Sequence, residues 1–172
     1  MGPSASTPRL LISTKTRTTP RCSLSPRRLI RRLGRRLTTW LRRGCNSPSR
    51  LGLVIYGDDN TYTKLVQVAI NGTRQTEFAK EDVVTNGPRS GNTVVGPPAG
   101  WTYLRIVKRT GATNGEQEYT VYTSWDGISW VRGGTWTHNL GANVGIGLVS
   151  MGGSGYTANF DYVRVSTVTP SP

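Results

Sequence analysis

The nine carboxylates are the side chains of this sequence best suited to acid–base or nucleophilic chemistry, and their spacing limits what they could do. Hydrolysis of a glycosidic bond, for example, needs two carboxyl groups that flank the bond. Asp58 and Asp59 share a polar turn, Asp126 lies in a second turn, and Glu116 and Glu118 lie near a third. Because these positions do not place two acids face to face, we expect no catalytic activity in this chain.

Other reactive groups are sparse. His138 is the single histidine, and no Ser or Cys has the context of an activated nucleophile, so a catalytic triad is not indicated. A zinc site lacks ligands. Asp58, Asp59 and Asn60 could supply oxygen ligands to calcium, but Asx-rich turns of this kind also form without metal. We therefore predict no cofactor, with calcium at this turn as the one candidate.

Aromatic side chains indicate a binding site more strongly. Sugar rings present apolar C–H faces that pack on exposed indole or phenol rings, while polar neighbours orient the hydroxyl groups. Candidates for such a platform lie near strand ends or loops: Trp101, Trp125, Trp136 and Tyr156. Three other aromatic residues lie on alternating segments and are expected in the core: Trp130, Tyr122 and Phe160.

The segment from Glu118 to Val131 predicts a β-hairpin. Its first half is rich in β-branched and aromatic residues, which suit a pleated surface. Alternation places Tyr119, Val121 and Thr123 on one face. Asp126-Gly127 predicts a tight reversal, and the segment from Ile128 to Val131 is expected to run back as the partner strand.

The rest of residues 51–168 contains similar short alternating segments joined by Gly-rich turns, of which Asn71-Gly72 is the strongest hairpin signal. In the segment from Trp101 to Thr110, alternation places Leu104 and Ile106 on one face and Tyr103 and Arg105 on the other. About eight strands with short connections predict an all-β fold, an antiparallel two-sheet sandwich. We expect one β-sandwich domain over residues 51–168 and a disordered end at 169–172.

Residues 1–50 differ sharply in charge. They hold 13 of the 22 Lys and Arg and no Asp or Glu, whereas residues 51–172 hold nine basic and nine acidic residues and carry no net charge. The net charge of +13 therefore belongs to the first segment. Cys22 and Cys45 also lie there, and free thiols are expected rather than a disulfide. Residues 1–24 have little apolar content and are expected to be disordered.

Within this basic segment, residues 26–43 have a helical pattern. Arginines occupy most of the remaining positions, so one interpretation is a cationic amphipathic helix that lies on a membrane surface or a nucleic-acid backbone. The other is that an acid-free run of Arg, Pro, Ser, Gly and Thr reflects a GC-rich coding sequence read in another frame. No secretion signal is recognisable, because Leu10-Leu11-Ile12 is too short for an apolar signal core, and no transmembrane segment is predicted. The apolar positions recur every three or four residues: Leu29, Ile30, Leu33, Leu37, Trp40 and Leu41.

An ordered set of short motifs resembles the concanavalin A-like jelly-roll modules found at the C-terminus of β-xylosidases and other secreted bacterial glycoside hydrolases. The resemblance covers about residues 51–167 and implies an extracellular location and an association with glycoside hydrolysis. Catalytic members of the jelly-roll class carry a Glu-x-Asp-x-x-Glu-like strand motif, which this sequence lacks. The matching segments are Leu51–Asn60, Tyr62–Leu65, Tyr103–Ile106, Tyr122–Trp130, Val144–Leu148 and Phe160–Val165.

Members of this family begin with several further strands, and here the basic segment occupies their place. The resemblance therefore implies an incomplete jelly roll with exposed inner faces. The implied function is a non-catalytic accessory module of a secreted carbohydrate-active protein that binds glycan or packs on a catalytic domain. Two alternatives remain: a structural interaction domain whose basic arm engages nucleic acid or membrane, without a specific nucleic-acid partner, and a glycoside hydrolase fragment without independent function.

Overall fold

The computed structural model describes residues 9–20, 49–70, 73–84, 87–111, 115–152 and 156–168, which form two five-stranded antiparallel sheets. Sheet A has the strand order β10-β1-β6-β7-β8, and sheet B has the order β5-β4-β3-β2-β9. The predicted all-β two-sheet sandwich is therefore confirmed. The strands are β1 (Arg9–Pro20), β2 (Ser49–Asp58), β3 (Thr61–Ile70), β4 (Thr73–Val84), β5 (Gly87–Val94), β6 (Thr102–Thr110), β7 (Gln117–Ser124), β8 (Val131–Thr137), β9 (Gly145–Met151) and β10 (Tyr156–Val168).

The core lies between the two sheets and is formed by alternate residues of their central strands. On sheet A, Leu104 and Ile106 of β6 lie opposite Thr123 and Val121 of β7, and all four are buried. This is the alternation that the sequence predicted for both strands. The fully buried side chains of sheet B that pack into the same cluster are Leu53, Ile55, Leu65 and Phe78. Burial of these apolar surfaces is the main stabilising contribution to a sandwich of this kind.

Strand β1 corrects the prediction for the N-terminal segment. Residues 1–24 were expected to be disordered, but Arg9–Pro20 pairs with β10 on one side and β6 on the other. Its Ile12 is fully buried. Because β1 pairs on both sides, its backbone N–H and C=O groups form hydrogen bonds along both edges of the strand. These hydrogen bonds stabilise the strand although few of its side chains are apolar. The sandwich therefore includes residues that precede the predicted boundary at 51, and sheet A has five strands. Cys22, Cys45, the predicted helix 26–43 and residues 169–172 lie outside the described residues.

The predicted hairpin forms with a longer loop than expected. Strand β7 ends at Ser124 and β8 begins at Val131, so Ile128, Ser129 and Trp130 belong to the loop and only Val131 lies in the returning strand. Asp126 holds this loop, because its Oδ1 accepts hydrogen bonds of 2.8 Å from the backbone N–H groups of Ile128 and Ser129. These bonds, that of Ile128 first, lower the pKa of Asp126 to about 2.

The aromatic residues expected in the core are only half-buried. Tyr122 points away from sheet B, Trp130 follows the loop, and Phe160 lies on the edge strand β10. The aromatic residues that fill the core are Tyr119 and Phe78, both fully buried. Tyr119 was placed on the correct face of β7, but the size of a side chain alone does not show which aromatic residues are enclosed.

One margin of the sandwich leaves part of both inner faces uncovered. Val163 and Val165 of β10 lie opposite Thr14 and Ile12, on the side of sheet A that faces sheet B, yet they are 42% and 49% exposed. Leu148 of β9, opposite Leu53, is 43% exposed.

Among the residues described, no helix has the length and apolarity needed to cross a bilayer.

Candidate functional site

The side of sheet A that faces away from sheet B carries a row of polar and charged residues that crosses all five strands. In register, Arg164 of β10 pairs with Ser13 of β1, Ser13 with Arg105 of β6, Arg105 with Tyr122 of β7, and Tyr122 with Arg132 of β8. Neighbouring strands lie about 4.8 Å apart, so successive arginines are separated by roughly 10 Å. The strand order thus aligns three arginines that are far apart in sequence.

A second row lies two residues further along the same strands. It places Tyr162 of β10 opposite Lys15 of β1, Lys15 opposite Tyr103 of β6, and Tyr103 opposite Ser124 of β7. This row is mainly aromatic where the first is mainly cationic. We call the two rows together with Trp130 the arginine–tyrosine face; its members are Ser13, Lys15, Tyr103, Arg105, Tyr122, Ser124, Trp130, Arg132, Tyr162 and Arg164.

The loop between β7 and β8 places Trp130 against this face. The Arg105 guanidinium carbon lies 3.6 Å from the centre of a Trp130 ring, and Tyr103 meets the same indole edge-on at 6.5 Å between ring centres. Gly127 lets the loop approach, because its φ of 78° suits glycine and a Cβ there would lie 3.1 Å from Cε1 of Tyr103. The stack holds the Arg105 guanidinium in one orientation.

Among the described residues, the Arg105 guanidinium forms no ion pair with a carboxylate. Its Nε is buried without a hydrogen bond. Partial burial lowers the pKa of Arg105, while the nearby Tyr162 and Tyr122 act in the opposite direction. The group nevertheless stays charged, because free arginine deprotonates only at extreme pH. A half-buried charge without a partner is unfavourable unless a ligand supplies one.

Two other cations of sheet A are already paired. Lys15 contacts Asp161 at 3.2 Å and lies 5.3 Å from the ring centres of both Trp101 and Tyr103. The bond to Asp161 is the main cause of the raised pKa of Lys15. Arg109 pairs with Glu118 at 3.2 Å. Arg132 and Arg164, like Arg105, have no ion pair among the described residues, so three cations of this face remain available to a ligand.

Two of the predicted platform residues lie at one end of this face. Trp101 directly precedes β6 and is half-buried beside Lys15. Trp125 directly follows β7, which ends opposite the start of β6, and is 68% exposed. Both therefore lie next to Tyr103 in the sheet order, and they extend the aromatic row toward the β6–β7 end of sheet A.

A third predicted platform residue does not join them. Trp136 packs inward from β8, with its ring centre 5.8 Å from that of Phe78 and Lys80 over its ring at 5.4 Å. Its Nε1 is buried without a hydrogen-bond partner. Tyr156 begins β10, and its side chain lies outside the described residues.

The carboxylates are used within the fold. Oδ1 of Asp58 accepts a hydrogen bond of 2.8 Å from the Asn60 backbone N–H, and Oδ1 of Asp59 accepts one from the Tyr56 hydroxyl. The candidate calcium ligands therefore stabilise their own turn. Glu81 accepts from the Tyr62 hydroxyl at 2.8 Å. Among the described residues, no three His, Cys, Asp or Glu side chains converge on a point where a metal ion could bind.

His138 is buried after β8 without a hydrogen bond to either ring nitrogen. Its Nε2 lies 3.8 Å from Oδ1 of Asp82, which is too long for a hydrogen bond. Burial lowers the pKa of His138, and the opposing effect of Asp82 is weaker. The imidazole is therefore neutral in the folded protein near pH 7, and we assign His138 a structural role.

The sequence contained half of the signal for this face. Alternation in β6 places Tyr103 and Arg105 on the side opposite Leu104 and Ile106, and this was predicted. The strand order could not be predicted, because it brings Lys15 and Arg164 beside β6 although they lie about 90 and 60 residues away from it in the sequence. A pairing of β1 with β6 would have identified the face.

Comparison with solved structures supports the two-sheet fold, whereas comparisons of the sequence found no relative. No protein-family model matches the sequence, and no curated protein is significantly similar to it. Solved structures do match. A functionally unknown protein from Saccharomyces cerevisiae superposes with a TM-score of 0.56 at 13% identity over 95% of this chain and 71% of its own.

Two further matches are glycoside hydrolases of family GH43. GH43B of the Bacteroides ovatus xyloglucan PUL has a TM-score of 0.56 at 17% identity, and the match covers 93% of this chain but 27% of that enzyme. An engineered GH43 enzyme with endo-xylanase and exo-arabinofuranosidase activity has a TM-score of 0.59 at 14% identity, with 93% of this chain and 29% of that enzyme covered. This chain thus has the fold of a part of these larger enzymes, an antiparallel two-sheet β-sandwich.

Proposed function

We propose that this chain is a non-catalytic accessory module of a carbohydrate-active protein and that it binds glycan through the arginine–tyrosine face. The module would be of the kind found at the C-terminus of β-xylosidases, and it would act outside the cell. The observation that carries the proposal is the aromatic row of Tyr162, Tyr103 and neighbouring Trp101, next to Arg105, whose guanidinium is stacked on Trp130.

Such a face suits the chemistry of sugars. Aromatic rings pack on the apolar C–H faces of pyranose rings, and charged or hydroxyl groups beside them bind the sugar hydroxyls. Tyr122 and Tyr103 offer both a ring and a hydroxyl on one pleated surface. A five-stranded sheet provides a long and shallow surface, which fits an extended polysaccharide better than it fits a small molecule.

The described carboxylates support a binding role rather than hydrolysis. Asp126 holds the β7–β8 loop, Asp161 and Glu118 pair with cations, and Asp58 and Asp59 hold a turn. A glycosidase needs two carboxyl groups about 5–10 Å apart across the bound sugar. Groups that are already engaged in loop and ion-pair contacts do not meet that requirement.

Affinity electrophoresis of the full chain tests the proposal. Migration should slow in native gels that contain soluble xylan, xyloglucan or polygalacturonate, and Tyr103→Ala or Tyr122→Ala should restore most of the free mobility. Tyr56→Ala is the matched control, because Tyr56 is an exposed tyrosine of sheet B. Unretarded migration of the wild-type chain with all three polysaccharides would refute glycan binding.

A second candidate role is packing on a neighbouring catalytic domain, and the uncovered margin favours it. The exposed apolar side chains of this margin lie on the edge strands of the two sheets: Val163 and Val165 on β10 and Leu148 on β9. Exposed apolar strips of this kind mark surfaces that bury against another protein. Analytical ultracentrifugation of Val165→Lys against the wild type would test it, since self-association of the isolated chain should fall when the strip is charged.

A further inference from the structure

We infer that the glycan bound by the arginine–tyrosine face is acidic, a polysaccharide that carries carboxylate groups as uronic acids do. This inference rests on the proposed function, because it names the class of glycan for the same face. It starts from the three arginines that the strand register aligns, none of which forms an ion pair with a described carboxylate.

Arg105 is the centre of the site. One side of its guanidinium is covered by Trp130 at 3.6 Å, so the planar group cannot turn freely. Its Nε is buried without a partner. A carboxylate that approaches in the plane of the guanidinium forms two parallel N–H···O bonds, and this arrangement gives the charge the partner that the protein does not provide. A neutral hydroxyl group offers one weaker acceptor at the same place.

Arg132 and Arg164 extend this recognition on both sides. Each lies two strands from Arg105 in the same row, hence roughly 10 Å away. Both are exposed and unpaired among the described residues. A polymer with carboxylates at regular intervals can contact the three guanidinium groups along the row while its sugar rings lie on the adjacent tyrosines.

The ion pairs on this sheet argue against a nucleic acid as the occupant. Asp161 neutralises Lys15 and Glu118 neutralises Arg109, so the cations of sheet A are only partly unopposed. Nucleic-acid surfaces instead concentrate unopposed Lys and Arg along a phosphate backbone. Three isolated guanidinium groups interleaved with phenol rings match a polymer of lower charge density and with sugar rings to stack.

The test compares two forms of one polysaccharide. The probes are sodium polygalacturonate and the same backbone with its carboxyl groups methyl-esterified, titrated into the full chain by isothermal calorimetry at low ionic strength. We expect at least tenfold weaker binding of the ester, and weaker binding of polygalacturonate as salt is added. Equal affinity for the two forms would overturn the inference and leave glycan binding intact.

Variants assign the effect to the face. Arg105→Gln and Arg132→Gln should each weaken polygalacturonate binding at least fivefold. Arg105→Lys should weaken binding about as much as Arg105→Gln, because an ammonium group lacks the planar pair of donors. Arg132 is exposed, so its variant avoids a folding defect. Arg74→Gln is the matched control, since it removes the same charge from sheet B. Equal losses for Arg74→Gln and Arg132→Gln would contradict a defined site.

Further outcomes distinguish a failure of the acidic-glycan inference from a failure of glycan binding itself. Binding of neutral xylan without binding of polygalacturonate would overturn the acidic class alone, whereas no binding of any polysaccharide would overturn the proposed function as well. Duplex DNA that competes with polygalacturonate at equal charge concentration would also overturn the inference, because the face would then bind polyanions without regard to sugar.

Discussion

The outward faces of the two sheets differ in how completely their charges are paired. On sheet B, Arg50 pairs with Glu77 at 3.7 Å and the Tyr62 hydroxyl donates to Glu81, while Val66 and Val68 beside them are buried. On sheet A two cations have carboxylate partners, but Arg105, Arg132 and Arg164 form no ion pair among the described residues. Paired charges and buried valines indicate a face used for stability. Three unpaired arginines, one of them stacked on an indole, indicate a face kept available for a ligand.

The largest expected effect is a difference in stability between substitutions on the two faces. A substitution on sheet B should lower the free energy of unfolding, whereas one on the arginine–tyrosine face should affect binding alone. Val66→Ala should lower the free energy of unfolding by about 2 kcal/mol, because a fully buried side chain loses its contacts. Arg132→Ala should change it by less than about 0.5 kcal/mol, as exposed substitutions do. Urea denaturation followed by tryptophan fluorescence measures both, and comparable losses would remove the distinction between the faces.

The stack of Arg105 on Trp130 should be detectable as a coupling energy. In a double-mutant cycle of Arg105→Gln and Trp130→Phe, we expect about 1 kcal/mol of coupling in stability, in the range of partly desolvated cation–π pairs. Polygalacturonate binding should fall for each single variant, with little further loss in the double. Strictly additive effects would show that the indole does not orient the guanidinium.

The buried His138 and the arginine–tyrosine face should respond differently to acid. Because burial lowers the pKa of His138 in the folded state, the unfolded chain takes up the proton first, at its ordinary value near 6.5. The contribution of His138 to stability is thus complete above pH 6.5 and declines as the pH falls toward the folded value. His138→Leu should lose this decline between pH 7.5 and 5.5 in thermal unfolding, and an unchanged profile would argue against it. The arginines of sheet A keep their charge throughout this range.

The smallest effect concerns Lys15. Its ion pair with Asp161 is exposed to solvent, and pairs of this kind contribute little to stability. Asp161→Asn should leave the denaturation midpoint unchanged within error and should strengthen polygalacturonate binding modestly, because Lys15 becomes available and a negative charge is removed. Weaker binding in this variant would indicate that Asp161 itself contacts the ligand.

Alternation within a strand could be read from the sequence, whereas pairing between distant strands could not. The split of β6 into buried Leu104 and Ile106 and outward Tyr103 and Arg105 follows from a period of two. Strand β1 was missed because Arg9–Pro20 is rich in Thr and basic residues, and its order depends on hydrogen bonds to β10 and β6. The prediction of Trp130 as core was wrong for a related reason, since its position is set by Arg105 across the sheet.

Two-dimensional ¹H–¹⁵N NMR of the full chain, titrated with oligogalacturonate, tests the central claim most directly. We predict chemical-shift changes confined to the amides of sheet A around the arginine–tyrosine face, including those of Lys15, Tyr103 and Arg132, with a clear shift of the Trp130 indole N–H. Changes that cluster on sheet B, with the Trp130 signal unmoved, would contradict the proposal.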